Sequence, residues 1–163
     1  MKKPVYIICI IALCLCVLAG CNQKAGEPTV VTLVYDGSAT EVRTSQWDEK
    51  SVQISTEDLG LGKKKACDYV GVKLSDLMDM ADAEDCAKAV VSSSDGYSKE
   101  IPAEDIKNYD IALVNGYAGG GAILSDAGGP VKLVFPVSDH PELKDTYDQW
   151  SWLWYVDRVE FVK

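Results

Sequence analysis

The chain has 163 residues, with 25 acidic against 16 basic side chains and a formal net charge of −9 at pH 7. A surface this acidic repels nucleic acid and anionic lipid headgroups, which sets both aside as partners. The length and the 47% of hydrophobic residues suffice for one substantial core.

At the N-terminus, Lys2 and Lys3 precede an apolar run from Val5 to Val17 that ends in Leu18-Ala19-Gly20-Cys21. The run is too short for a stable membrane span and has the form of a secretory signal. Small residues at 19 and 20 suit a peptidase cleft, and the Cys21 thiol is open to alkylation with diacylglycerol. These four residues resemble a bacterial lipobox. The expectation is a signal peptide over 1–20, a tether over 21–29 and one domain over 30–163. Cys21 would be the lipidated first residue, holding the protein to the bilayer on the extracytoplasmic face of the cell membrane. Palmitate-like acyl chains bury methylenes at about 0.8 kcal/mol each, enough for stable anchoring with two chains or more.

Processing removes Lys2 and Lys3 and none of the acidic residues, so the mature chain is more acidic still. Cys9, Cys14, Cys16 and Cys21 leave the folded part. Cys67 and Cys86 remain, and export favours joining this last pair in a disulfide around the intervening helix, a gain of about 2–4 kcal/mol.

In chain order, Val30 to Tyr35 alternates as a first strand and Asp36-Gly37 turns it. Glu41 to Trp47 and Lys50 to Ile54 are weaker strand candidates, and Trp47 reads as a packing residue. Ser55 to Cys67 holds three consecutive lysines, Lys63 to Lys65, without the glycine spacing of a phosphate-binding loop; a solvated basic turn is the simpler reading. Tyr69 to Lys73 is extended. Leu74, Leu77, Met78 and Ala81 follow at the spacing of one helical face, so the spacing predicts a helix over 74–81 packed on a sheet. Ala87 to Ser93 is a short strand turned by Asp95-Gly96.

Ile101-Pro102 opens a helical turn with Glu104 and Asp105 at its start, where acids suit the helix dipole. Ile111 to Val114 is apolar enough to be buried, and Asn115 to Gly121 is a glycine-rich loop whose amides can approach a ligand, without dinucleotide-motif spacing. Val131, Leu133 and Phe135 share one face of a strand after Gly128-Gly129-Pro130. Val137 to Trp150 is a polar excursion, and Trp152 to Val162 closes the domain as a strand. Trp150, Trp152 and Trp154, at period two, either line a groove or cover the sheet. His140, the sole histidine, lies beside Asp139 and Glu142, a weak metal signal; no metal ligands are assigned.

Four pieces in order carry a family resemblance: Tyr69-Val70-Gly71-Val72-Lys73-Leu74 with its helix, Ser93-Ser94-Asp95-Gly96-Tyr97, Gly128 to Pro136, and Trp154 to Phe161. Together they resemble the oxidoreductase molybdopterin-binding domain of the sulfite oxidase type. The resemblance implies an α+β fold of mixed β-sheets with short helices, and it makes molybdopterin the one cofactor to consider. In catalytic relatives a cysteine thiolate holds the metal about ten residues before the aromatic-x-Gly segment, near Leu59 or Gly60 here, and neither is cysteine. Clustered cations for the pterin phosphate and an oxyanion substrate are also missing, since Arg43, Arg158 and His140 are the only residues of those types.

The expectation is therefore a non-catalytic module with no catalytic residues, holding an unidentified small molecule or a membrane redox partner. The alternative is an active molybdopterin-dependent oxidoreductase in which Cys67 or an oxygen ligand replaces the thiolate. The candidate ligand-binding residues are Ser93, Asp95 and Tyr97, Gly119 and Gly120, and Gly129 and Lys132.

Overall fold

Val30 to Tyr35 forms β1, and Asp36 and Gly37, at φ 48° and 77°, turn it tightly into β2 (Ser38–Arg43). Positive φ at both turn residues is what a type I′ two-residue hairpin requires. The computed structural model describes residues 29–63 and 65–163; Cys21 and the tether up to residue 28 lie outside the described residues. The second weak strand candidate begins late: Thr44–Gln46 and Asp48–Lys50 are 3-10 turns that bury Trp47, and β3 runs Val52–Glu57.

The chain continues through β4 (Ala66–Lys73), α1 (Leu74–Met80), β5 (Lys88–Ser93), β6 (Ser98–Pro102), α2 (Ala103–Asn108) and β7 (Ala112–Tyr117). It ends with β8 (Lys132–Val134), α3 (Leu143–Thr146) and β9 (Val156–Val162). Helix α1 buries Leu74, Leu77 and Met78 as the spacing requires, while Ala81 caps it. The strands make two sheets, β2-β1-β9-β5-β6 and β3-β4-β7-β8, whose facing sides share one core. Pairing is antiparallel except between β1 and β9, which run parallel with Thr32 opposite Arg158 and Tyr35 opposite Phe161. Among the described residues no helix is long and apolar enough to cross a membrane.

Two expectations need correction here. The glycine-rich loop is shorter than its sequence suggests, because Asn115, Gly116 and Tyr117 extend β7. Cys67 and Cys86 are free. Cys67 sits opposite Thr56 near the start of β4, six residues before the strand ends, so about 20 Å of strand separates it from the start of α1. Cys86 follows α1 and is turned into the core, with its Sγ 3.6 Å from Met78 Sδ. Burial pushes its thiol pKa up. Without reductant, denatured protein should therefore show both thiols to a thiol reagent, and native protein should react rapidly at the half-buried Cys67 and slowly at Cys86. A chain that shows no thiol when denatured would restore the disulfide.

Candidate functional site

The end of β3 leads into Asp58, a fully buried carboxylate whose Oδ1 accepts from the Leu61 amide at 3.0 Å and caps the 3-10 turn Leu59–Leu61. Its Oδ2 accepts from Tyr69 Oη on β4 and from Lys132 Nζ on β8, each at 2.5 Å. The side chains of Asp58 and Lys132 are both 0% exposed. Burial pulls the Lys132 pKa down, and the Asp58 carboxylate partly offsets that. Burial, together with Asp58, holds the Tyr69 phenol far above its ordinary value.

Above this polar floor stands Trp154, with Lys132 Nζ 5.4 Å from its ring centre. Two glycines make room for the indoles. A Cβ on Gly128 would come within 2.8 Å of the Trp154 ring, and one on Gly60 would lie 2.8 Å from Trp152 Cβ and 3.4 Å from Trp154 Nε1.

The indoles form one wall of a groove of about 410 Å³. Its other walls are Gly60, the hairpin residues Ser93, Asp95 and Tyr97 between β5 and β6, and Gln149 and Trp150. Trp150 to Trp154 are not a strand. Asp148 Oδ1 accepts from the Trp150 amide at 3.1 Å and from Ser151 Oγ at 3.0 Å, which winds Gln149–Ser151 into a 3-10 turn before β9. Trp152 is consequently buried while Trp150 is 79% exposed, yet all three tryptophans face the same groove. Ser93 Oγ donates to Asp95 Oδ1 at 2.5 Å and fixes the carboxylate at the rim.

Of the residues expected to bind a ligand, Ser93, Asp95 and Tyr97 come together here. The others do not. Gly119 and Gly120 sit exposed at the tip beyond β7, with open space around them. Gly129 packs so tightly that a Cβ would fall 1.8 Å from the Ile123 carbonyl oxygen. Lys132 is committed to Asp58 beneath the groove. The glycine-rich stretch instead borders a separate cavity of about 540 Å³ through Gly116, Tyr117 and Gly121, opposite Trp47. His140 is a surface residue, packed edge-on against Tyr109 and 3.3 Å from Glu142. Sequence reasoning missed Asp58, although an Asp placed three residues before Leu61 in a Leu-Gly-Leu-Gly run is a cap signal.

The residue types lining this groove do not suit a molybdenum-bound pterin. Neither Leu59 nor Gly60, the positions near which the thiolate would be expected, is a cysteine, and a Cβ on Gly60 would crowd Trp152 Cβ at 2.8 Å. The groove wall carries one carboxylate and no Lys, Arg or His for a phosphate, and Cys67 is not among its residues. Among the described residues no three His, Cys, Asp or Glu side chains cluster as a metal site.

Residues 29–138 match the family model described as "Oxidoreductase molybdopterin binding domain". Among solved structures, the chain is similar to the sulfane dehydrogenase SoxCD from Paracoccus pantotrophus, with a TM-score of 0.59 and 17% identity. That alignment covers 85% of this chain and 40% of the SoxCD chain, so the likeness is one of fold and reaches less than half of the other protein. No curated protein sequence matches. The sulfite-oxidase-type fold expected from the motifs is the fold observed, and by the extent of the family match the chain belongs to the oxidoreductase molybdopterin-binding domain family.

Proposed function

We propose that the chain is a membrane-anchored extracytoplasmic lipoprotein whose molybdopterin-domain fold serves as a non-catalytic binding module, with the tryptophan groove as its site. The observation that carries this reading is the absence of a cysteine at Leu59 and Gly60, the two positions near which a metal-holding thiolate would be expected, the second of them packed against Trp152. A groove lined by indoles and one carboxylate is suited to holding a small molecule by apolar contact, and its volume of about 410 Å³ lies in the range of small-molecule sites. The family match ends at residue 138, so the tryptophan wall comes from the segment beyond it.

The lipobox-like Leu18 to Cys21 supports anchoring through acylated Cys21. Native protein extracted from membranes is expected to contain no stoichiometric molybdenum by elemental analysis and no pterin fluorescence after acid release. A Cys21→Ser variant is expected in the soluble extracytoplasmic fraction. Molybdenum at one atom per chain would replace this reading with the active oxidoreductase, and a Cys21→Ser chain still held by the membrane would end the lipid-anchor proposal.

A further inference from the structure

The four large hydrophobic side chains that are exposed among the described residues are Val30, Tyr97, Leu124 and Trp150. Two of them, Tyr97 at 69% and Trp150 at 79% exposed, border the same groove. Scattered exposed apolar residues need no explanation, but two aromatic rings flanking one concavity, with two more indoles behind them, form a recognition surface. Both groups that approach Asp95 from its own hairpin, Ser93 Oγ and the Tyr97 amide, meet Oδ1. Its Oδ2 makes no hydrogen bond among the described residues and is open to a ligand.

Charge decides the ligand class. An aromatic face attracts a cation by its quadrupole, and a carboxylate alongside adds a direct charge. No basic side chain borders the groove to compete. Lys132 sits against Trp154 and is neutralised by Asp58, while Lys63 and Lys144 line the adjoining cavity that shares Gln149 and Trp150, Lys144 being paired with Glu57; Trp150 and Tyr97 are the exposed aromatic faces. The chain's net charge of −9 draws cations toward it in general.

We propose that this groove binds an organic cation, a small molecule carrying a substituted ammonium group that sits against Trp150 and Tyr97 and faces Asp95. The proposal rests on the non-catalytic reading of the same groove.

The test uses the full chain in non-ionic detergent, with choline as probe and 3,3-dimethylbutanol, its uncharged carbon isostere, as control. Choline should change tryptophan fluorescence saturably, and the isostere should bind at least about tenfold more weakly, a difference of about 1.4 kcal/mol. Asp95→Asn and Trp150→Ala should each weaken choline about tenfold, Trp150→Phe should retain part of the affinity, and rising salt should weaken wild-type binding. Both positions are exposed, so unchanged thermal melting is expected to accompany these losses. Equal binding of choline and the isostere, a saturable response to methyl glucoside alone, or no response to choline would overturn the cation proposal. Molybdenum in the native chain would overturn the non-catalytic reading instead, so the two failures are separable.

Discussion

Replacing Lys132 with methionine is expected to lower folding stability by about 3–5 kcal/mol, although the substitution nearly conserves volume and adds apolar character. The loss comes from what is left behind. Asp58 would remain a buried carboxylate with only the Tyr69 phenol and the Leu61 amide as partners. An unpaired buried charge costs more than a buried pair contributes. Asp58→Asn should be comparably costly, since it strands the Lys132 ammonium. The double variant Lys132→Met with Asp58→Asn should lose less than the sum of the two, because neither charge remains unpaired. Urea unfolding of all four chains measures this. A Lys132→Met cost below about 1 kcal/mol, the worth of a solvent-exposed pair, would show that water reaches the cluster.

Gly71→Ala should cost about 3 kcal/mol or more, at or beyond the upper end of ordinary overpacking. Its Cβ would fall 2.0 Å from the Leu113 carbonyl oxygen and 2.6 Å from Val114 Cα, at the point where the β4–β7 register shifts. Backbone of a neighbouring strand cannot swing aside as a side-chain tip can, so β4 and β7 would have to separate where they pair. Gly119→Ala is the matched control: nothing lies within 4 Å of its Cβ, and the change should stay within about 0.5 kcal/mol. The shift in urea midpoint distinguishes the two, and equal midpoints would mean that the close approach at Gly71 relaxes freely. The glycine of the aromatic-x-Gly motif is thus held by packing between strands. The family motif marks the fold here more than it marks chemistry.

β1 and α1 were legible because their signals are local, whereas β6 (Ser98–Pro102) was not expected and β2 begins earlier than the Glu41 to Trp47 candidate. Alternation over Val30 to Tyr35 and the helical spacing of Leu74, Leu77 and Met78 do not depend on what packs against them. The hairpin residues Ser93, Asp95 and Tyr97 were found through motif order, and they do border the groove. Lys132, a binding candidate because it lies in the Gly128 to Pro136 motif, is instead paired with Asp58. Alternation puts it opposite Val131 and Leu133, which ordinarily means solvent, but Asp58 and Trp154 cover that face, and both arrive from distant parts of the chain. The groove-lining alternative for the three tryptophans matches where the structure puts them, but the last strand begins at Val156 and not at Trp152, because the Asp148 cap makes a 3-10 turn first. That their rings still meet in one groove follows from the turn together with the room left by Gly60 and Gly128, a combination no local window contains.

The parallel pairing of β1 with β9 puts the start of the domain at the same end as the groove. Because Thr32 lies opposite Arg158, the beginning of β1 is beside the beginning of β9, just after Trp154, and Ser93 opposite Val156 brings the β5–β6 hairpin to the same end. Lys163 leaves from the other end, near Asp36. With Cys21 acylated, the stretch from Cys21 to Val30 spans at most about 30 Å even fully extended. On the proposed acylation, the groove lies at the tethered end of the domain and Lys163 at the other, so a reporter fused after Lys163 is expected to leave the groove clear.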